Sequence, residues 1–192
     1  FLVCWVTKVN IRRIIEKNYH KLFFLKMDVP IFPLNGAVLF PGTSLPLNIF
    51  ENRYLEMVDY ALANNRYIGM IQSDTNKKLY KVGCIGKIHS FNETADGRYL
   101  ISLQGTNSFK LISELKSEYN FKLVKAELID ENKSKFSSLE DRDKKLIIDK
   151  YKEYIKIKNI NLDMAEIENI ELEQIIKFIA MVSPFKNEEK QI

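Results

Sequence analysis

The stretch VPIFPLNGAVLFPGTSLPLNIFENRYLEMVDYAL, from Val29 to Leu62, determines the predicted fold more than any other part of this 192-residue chain. Two short apolar segments, Pro30–Leu34 and Leu45–Phe50, flank a turn-rich loop, and a helical pattern follows directly. This order predicts two short strands, a shaped connection and then a helix. The connection, Asn35–Leu45, is named the Pro41 loop below.

Three prolines restrict how these segments can enter a sheet. Proline has no backbone N–H and a nearly fixed φ, so Pro33, Pro41 and Pro46 cannot lie in a central, fully paired strand. We expect them at strand ends, on an edge strand or in the loop. The pair Pro41-Gly42 is typical of a tight turn, because proline presets one torsion and glycine tolerates a positive φ.

This stretch resembles the start of the amino-terminal domain of Lon proteases, together with Phe50-Glu51-Asn52-Arg53-Tyr54 and Ile68-Gly69-Met70-Ile71. That domain also occurs as a stand-alone protein in bacteria, and the resemblance covers most of residues 28–186. It implies a mainly β, α+β fold: a PUA-like six-stranded pseudobarrel with one inserted helix, followed by a C-terminal helical lobe. Lon proteases work through an ATPase module and a Ser–Lys proteolytic domain, and neither is recognised in this sequence.

The positions that carry the resemblance are expected to be structural. Glu51 and Arg53 should tie the loop to the start of the helix, where the helix dipole favours a carboxylate. Seven aromatic residues could include a stacking platform for nucleotides, but most of them are interpreted as core: Phe40, Phe50, Tyr54, Tyr67, Tyr80, Phe91 and Tyr99. The residues expected to have structural roles are Pro33, Leu34, Gly42, Leu47, Phe50, Glu51, Arg53, Tyr54, Gly69, Gly83 and Gly86.

Turn signals divide the middle of the chain into short strands. Asn52 is predicted to cap the helix and Asn64-Asn65 to end it in a left-handed conformation. Asp96-Gly97 predicts a hairpin, and glycines 83 and 86 within a strand pattern predict a bulge or a close backbone approach. The predicted runs are Tyr67–Gln72, Val82–Phe91, Tyr99–Leu103, Phe109–Leu115 and Phe121–Ile129.

The pattern changes to helical near residue 135, which predicts a pseudobarrel lobe over 27–135 and a helical lobe over 136–192. A capping box at Ser137–Glu140 begins a helix that extends to about Lys158. Asp163 with Glu166 suggests a short turn, and the last apolar stripe begins at Leu172 and ends before Pro184. In the family a further helix follows this point, so the sequence is expected to be truncated at its carboxyl end.

Residues 1–26 form a basic extension that the resemblance does not cover. They hold six basic residues and one acidic residue (+6 − 1 = +5), which leaves 23 basic and 24 acidic residues (−1) for the remainder. The extension is interpreted as either a surface-binding amphipathic helix or, preferentially, non-native sequence upstream of Met27. Because the body is nearly neutral, its charge does not favour binding to nucleic acid. Apolar runs of about six residues are also far too short to span a membrane.

No catalytic or metal-binding pattern is found. The two cysteines form no ligand cluster, which suits a reducing, cytoplasmic compartment. A Cys84–His89 pair is expected to point to opposite faces of a strand, and residues 83–87 lack the spacing of a phosphate-binding loop. We therefore expect no cofactor, no metal and no catalytic residues.

The resemblance implies a non-catalytic module that recognises unfolded or apolar polypeptide and is linked to proteolysis and protein quality control. A separate protease or chaperone is a possible partner, and an exposed sheet edge could add an extended peptide as a strand. The alternatives are an RNA-binding protein of PUA-like fold and a peptidase. The loop tip could instead fold back on the core, and the two interpretations are given equal weight. The candidate contact residues are Val38, Leu39, Phe40, Pro41 and Leu45.

Overall fold

A mixed six-stranded sheet forms most of the computed structural model, which describes residues 26–129, 141–161 and 170–190. The strand order is β2-β5-β4-β3-β1-β6, and β1 and β3 are parallel while the other pairs are antiparallel. The strands are β1 Lys26–Pro33, β2 Ser44–Ile49, β3 Tyr67–Ile71, β4 Val82–Glu93, β5 Tyr99–Leu115 and β6 Lys122–Leu128.

The sheet closes on itself through β5, as the predicted pseudobarrel requires. The first half of β5 pairs with β2, its second half pairs with β6, and β4 lies along its other side. Strands β5, β4, β3, β1 and β6 therefore form a ring, and β2 extends it as an edge strand. Register shifts at Ile85/Gly86, Ile88/Ser90 and Leu111/Ser113 accompany the closure, since bulges bend a strand and increase its twist.

The prediction of two strands over Tyr99–Leu103 and Phe109–Leu115 is wrong, because β5 is continuous. The connecting residues 104–108 (QGTNS) are polar or small and show no apolar alternation. Most of them nevertheless pair with β4, so long-range hydrogen bonding extends the strand where the local pattern does not. The predicted hairpin between β4 and β5 is confirmed, with Gly97 at φ 78°.

Helix α1, Asn52–Ala63, follows β2 and buries one apolar face. Its N-cap is Glu51 rather than the predicted Asn52, and no side chain caps it. The left-handed residue after the helix is Arg66, at φ 64°, and not Asn64. The Asn64 amide instead donates to the Tyr60 carbonyl at 2.7 Å, which holds it in another conformation.

Two apolar clusters lie on opposite faces of the ring strands. Val29 and Ile31 of β1 join Phe109 inside the ring, and Phe32, on the other face, packs with residues of α1 and β2. This separation follows from the two-residue period of a strand. Phe109 is fully buried.

The described residues after 140 contain the helices α2 Asp141–Ile157, α3 Leu172–Val182 and α4 Asn187–Lys190. A third cluster joins Tyr151 of α2 to Ile175 of α3, and the Tyr151 hydroxyl lies 3.0 Å from Ser183 Oγ. Leu146, an apolar residue of α2, is exposed. The predicted capping pairs at 137–140 and 163–166, and the proposed boundary at 135, lie outside the described residues.

Candidate functional site

The Pro41 loop is held against the sheet by backbone hydrogen bonds. Gly42 N–H donates to the Gly105 carbonyl at 2.9 Å, and Gly105 N–H donates to the Thr43 carbonyl at 2.8 Å. At the start of the loop, Asn35 Oδ1 accepts from the backbone N–H and the hydroxyl of Ser73, each at 3.0 Å. The loop is therefore a defined part of the fold.

The predicted tight turn at Pro41-Gly42 is confirmed. Thr43 N–H donates to the Phe40 carbonyl at 3.1 Å, and Gly42 has φ 81°. Proline at the second position and a left-handed glycine at the third are the requirements of a type II turn. The Thr43 hydroxyl also donates to the Phe40 carbonyl, at 2.8 Å.

The carboxyl-terminal helices hold the same loop from outside. Lys177 of α3 donates to the Pro41 carbonyl at 2.9 Å and forms an ion pair with Glu173 at 2.6 Å. Lys190 of α4 donates to the Gly36 carbonyl at 2.8 Å. These contacts join residues separated by more than 130 positions in the sequence, so sequence reasoning missed them.

Leu39 does not fit the predicted contact role. Its side chain is 3% exposed and belongs to the cluster beneath α1. Two glycines make room for it: a Cβ on Gly86 would lie 2.8 Å from Leu39 Cδ2, and one on Gly105 would lie 3.2 Å from Leu39 Cγ. The alternative in which the loop folds back on the core therefore holds for Leu39. The candidate residues Val38, Phe40, Pro41 and Leu45 are half-buried, and their contact role stays a prediction.

An apolar groove separates the end of the Pro41 loop from helix α3. Its volume is about 450 Å³, and Leu45 and Pro46 form one wall. Val182 and Ile170, which remain 46% and 38% exposed, belong to the opposite side. We name it the β2–α3 groove; α3 also contributes Gln174, Phe178 and Met181. The apolar pattern of α3 was recognised as a helix in the sequence. No neighbouring residue in the sequence indicated that this helix faces the Pro41 loop.

Strand β2 forms one edge of the sheet, since it pairs with β5 alone among the described residues. Because the Thr43 carbonyl faces β5 and backbone direction alternates, the outward backbone groups of β2 belong to Ser44, Pro46 and Asn48. Pro46 has no N–H, so this edge offers only two outward donors in six residues. Pro46 therefore removes one of the three outward donors that an added strand could use, and strand addition stays a prediction.

An ion pair and a cation–ring contact lie at the start of α1, within the segment from Phe50 to Tyr54. Glu51 and Arg53 form an ion pair with each other at 2.8 Å, and the Arg53 guanidinium lies 4.4 Å from the centre of the Tyr54 ring; their predicted role in tying the loop to the helix stays a prediction. Tyr54 is buried against Phe32, and burial raises the pKa of its hydroxyl. Phe50 was expected in the core and is 63% exposed instead, because it follows the last residue of β2 and faces outward.

The other predicted structural residues lie in the sheet or against it. Gly69 is opposite Ile31. A Cβ on Gly83 would overlap the Met70 carbonyl oxygen, so the predicted close backbone approach is confirmed at Gly83, and the register shift at Ile85/Gly86 is the predicted bulge. Pro33 ends β1. The side chains of Leu34 and Leu47 pack against the cluster beneath α1.

The described residues present no metal-binding group of three or more His, Cys, Asp or Glu side chains. Cys84 is buried and its thiol donates to the Ile85 carbonyl at 3.5 Å, whereas His89 is exposed. Residues 83–87 lie within β4. None of the helices in the described part of the chain is long and apolar enough to cross a membrane.

Comparison with known proteins connects this architecture to one family. Residues 28–192 match the family described as ATP-dependent protease La (LON) substrate-binding domain. The Lon protease of Flavobacterium johnsoniae is 29% identical over 180 residues, which is 87% of this chain and 22% of that protein. The Lon protease of Buchnera aphidicola is 24% identical over 180 residues, which is 86% of this chain and 22% of that protein. The chain thus spans about a fifth of the length of these relatives.

Two solved structures share the fold. The N-terminal domain of Mycobacterium avium complex Lon protease superposes with a TM-score of 0.65 at 15% identity, over 86% of this chain and 88% of that one. A Lon N-terminal domain protein from Xanthomonas campestris gives 0.53 at 19% identity, over 86% and 96%. At these identities the likeness supports the mainly β fold alone.

Proposed function

Because the chain belongs to the family of ATP-dependent protease La (LON) substrate-binding domains, we propose that it recognises unfolded or apolar polypeptide segments as part of Lon-linked protein quality control. The observation that carries this proposal is the β2–α3 groove. An apolar groove bordered by partly exposed Ile170 and Val182 suits an apolar side chain that is exposed only when a client is unfolded.

The exposed fractions of two groove residues set the change in affinity that we expect when they are replaced. Full burial of an aliphatic side chain contributes about 1.5–3 kcal/mol. Covering the remaining 38% of Ile170 and 46% of Val182 would then contribute about 1–2.5 kcal/mol together. Loss of that contribution corresponds to about tenfold weaker binding or more, starting from an affinity of roughly micromolar, about −8 kcal/mol.

The test is a titration of the chain against a fluorescently labelled, reduced and carboxymethylated protein that cannot refold, followed by anisotropy. The variant Ile170→Ser with Val182→Ser should bind about tenfold more weakly and keep its melting temperature. The matched control is Leu146→Ser with Ile157→Ser, two exposed apolar residues of α2 outside the groove; it should bind like the parent. A groove variant that binds as well as the parent would place the site elsewhere, and a parent that binds no unfolded protein would refute the function.

We propose further that recognition is non-catalytic and takes place in the cytoplasm, where a separate protease or chaperone receives the client. Cys84 is buried and His89 is exposed, five positions apart on β4, as is expected of residues on opposite faces of a strand, which supports the first point. Cleavage of casein without ATP by the purified chain, abolished by one side-chain change, would establish the peptidase alternative instead. The nearly neutral body and the names of the similar proteins offer no support for RNA binding.

A further inference from the structure

Lys190 of α4 is a half-buried cation beside the Pro41 loop. Its amine donates to the Gly36 carbonyl at 2.8 Å and to the Met181 carbonyl at 3.5 Å, and burial lowers the pKa of this amine. Among the described residues it has no ion-pair partner, since Glu189 on the same helix accepts from Lys186 N–H at 2.8 Å instead. Neutral carbonyls offset the cost of removing an ammonium group from water less well than an anion does.

The second lysine that holds this loop has the anion that Lys190 lacks. Lys177 of α3 donates to the Pro41 carbonyl at 2.9 Å and also pairs with Glu173 at 2.6 Å. Both lysines therefore bind a loop carbonyl, and of the two only Lys177 has a carboxylate partner in the described part of the chain. Because lysine is seldom buried unless it is paired, the Lys190 amine is suited to an anion that comes from a ligand.

Lys190 borders a cavity behind the Pro41 loop. The cavity has a volume of about 200 Å³ and is partly open to solvent. Val38 and Phe40 contribute apolar walls from the loop, and Met70 and Ile71 contribute them from β3. An apolar cavity of roughly 150 Å³ can hold a benzene molecule, so this one has room for an apolar side chain. We name this space the Lys190 cavity.

Gln72 also borders the Lys190 cavity, but its amide is not available to a guest. The residue is 3% exposed, both polar atoms of the amide are buried, and neither has a hydrogen-bond partner among the described residues. Its carbonyl accepts from Tyr80 N–H at 3.0 Å. The apolar walls and the Lys190 amine therefore select the guest.

Apolar walls beside one cation select a group that is both apolar and anionic. A lysine or arginine guest would be repelled by the charge. An aliphatic residue within a chain would fill the cavity and leave the amine without an anion, and aspartate or glutamate would bring the anion on a stem with little apolar surface. An apolar residue at the carboxyl end of a polypeptide supplies both, because its α-carboxylate is ionised at neutral pH and lies next to its side chain.

We propose that the Lys190 cavity binds the carboxyl end of an unfolded polypeptide, with the apolar last side chain in the cavity and the α-carboxylate paired with Lys190. Capture of a terminal carboxylate is a recurring mode of peptide recognition. The α4 helix has no buried residue, so a ligand can reach this amine from solvent. This inference rests on the proposed polypeptide-binding function and names the part of the client that the cavity selects.

The experiment measures, by fluorescence anisotropy, the affinity of three labelled peptides that share one apolar host sequence and differ in the last residue. The first ends in leucine with a free carboxylate, the second in leucine amide, and the third in glutamate with an amidated α-carboxyl group. The parent protein should bind the first about tenfold more tightly than the other two. Leucine amide lacks the anion, and glutamate lacks the apolar side chain.

Two substitutions of lysine by methionine test the role of the charge. Lys190→Met keeps an unbranched side chain and removes the charge, so it should bind the first two peptides equally. The matched control Lys186→Met, at an exposed position outside the cavity, should keep the preference of the parent. Should Lys190→Met not fold, Val38→Trp fills the cavity with Lys190 still present and should lose the same preference.

Each remaining outcome overturns the inference. Equal affinity of the parent for the three peptides, or a preference that survives in both Lys190→Met and Val38→Trp, would exclude this site. A glutamate peptide that binds as tightly as the first would assign the cavity to acidic side chains instead of chain ends. If the parent binds none of the peptides, the inference fails, and binding of the carboxymethylated protein by the same sample decides the proposed function separately.

Discussion

Replacement of Gly105 by alanine should detach the Pro41 loop from the sheet. Gly105 is buried in β5, and its Cβ would overlap the carbonyl oxygen of Phe40 and lie 2.8 Å from the carbonyl carbon of the same residue. Both are backbone atoms, so a side-chain rotation cannot relieve the clash. The φ of Gly105 is not positive, so the effect comes from this contact alone.

The loss of unfolding free energy follows from the contacts that the Pro41 loop would lose in Gly105→Ala. Overpacking of a tight contact costs about 1–3 kcal/mol. Withdrawal of Phe40 also strains the two hydrogen bonds between Gly105 and the loop, at 2.9 and 2.8 Å, each worth about 0.5–1.5 kcal/mol. Alanine also restricts the unfolded chain more than glycine does, which raises the unfolding free energy by about 0.4–1 kcal/mol. The expected loss of unfolding free energy is therefore about 1–5 kcal/mol.

The assay is urea unfolding followed by circular dichroism, together with hydrogen exchange at the Gly42 amide. Gly105→Ala should lower the unfolding free energy and increase exchange at Gly42. Gly97→Ala is the control, because Gly97 has φ 78° and open space around it; it should cost only about 1–2 kcal/mol of backbone strain and leave the Gly42 amide protected. A Gly105→Ala protein that is within about 0.5 kcal/mol of the parent, with Gly42 still protected, would refute the reasoning.

Four further predictions concern single positions. Gly42→Val should lower the unfolding free energy by about 1–3 kcal/mol in urea titrations, because φ 81° strains a β-branched residue. Leu39→Ala should cost about 2–5 kcal/mol in the same assay, since the side chain is buried in the core. Gln72→Met should raise the unfolding free energy by about 1–3 kcal/mol by removing a buried unpaired amide. The Thr94 hydroxyl lowers the pKa of Asp96, so Thr94→Val should raise that pKa in an NMR titration. In the parent, the stabilisation from Asp96 should be present above the ordinary carboxyl pKa and be lost as pH falls through the lowered value.

Local residue chemistry was enough to predict two of the turns. Pro41-Gly42 and Asp96-Gly97 restrict φ and ψ at their own positions, so no distant contact is needed to specify them. The prolines also limited where β2 could lie, and Pro46 is on the edge strand as expected. The family resemblance, based on ordered motifs of this kind, predicted the six-stranded sheet.

The sequence did not predict which apolar side chains would be buried. Leu39 and Phe50 are similarly apolar and lie eleven positions apart, yet one is 3% exposed and the other 63%. The difference depends on what faces each residue: glycines 86 and 105 leave space for Leu39, whereas Phe50 projects from the end of β2. Hydrophobicity favours burial but does not specify which surface is available to cover a side chain.

Tertiary structure alone decided the candidate site. The sequence by itself predicted the Pro41 loop, a restricted place for the proline-containing strand and the apolar stripe of α3 as separate features. Their meeting depends on contacts such as Lys177 to the Pro41 carbonyl, which joins residues 136 positions apart. The unpaired Gln72 amide likewise exists only because strand pairing and the folded loop bury it. Local propensities act over a few residues, whereas a groove or a cavity is formed by surfaces that only long-range packing brings together.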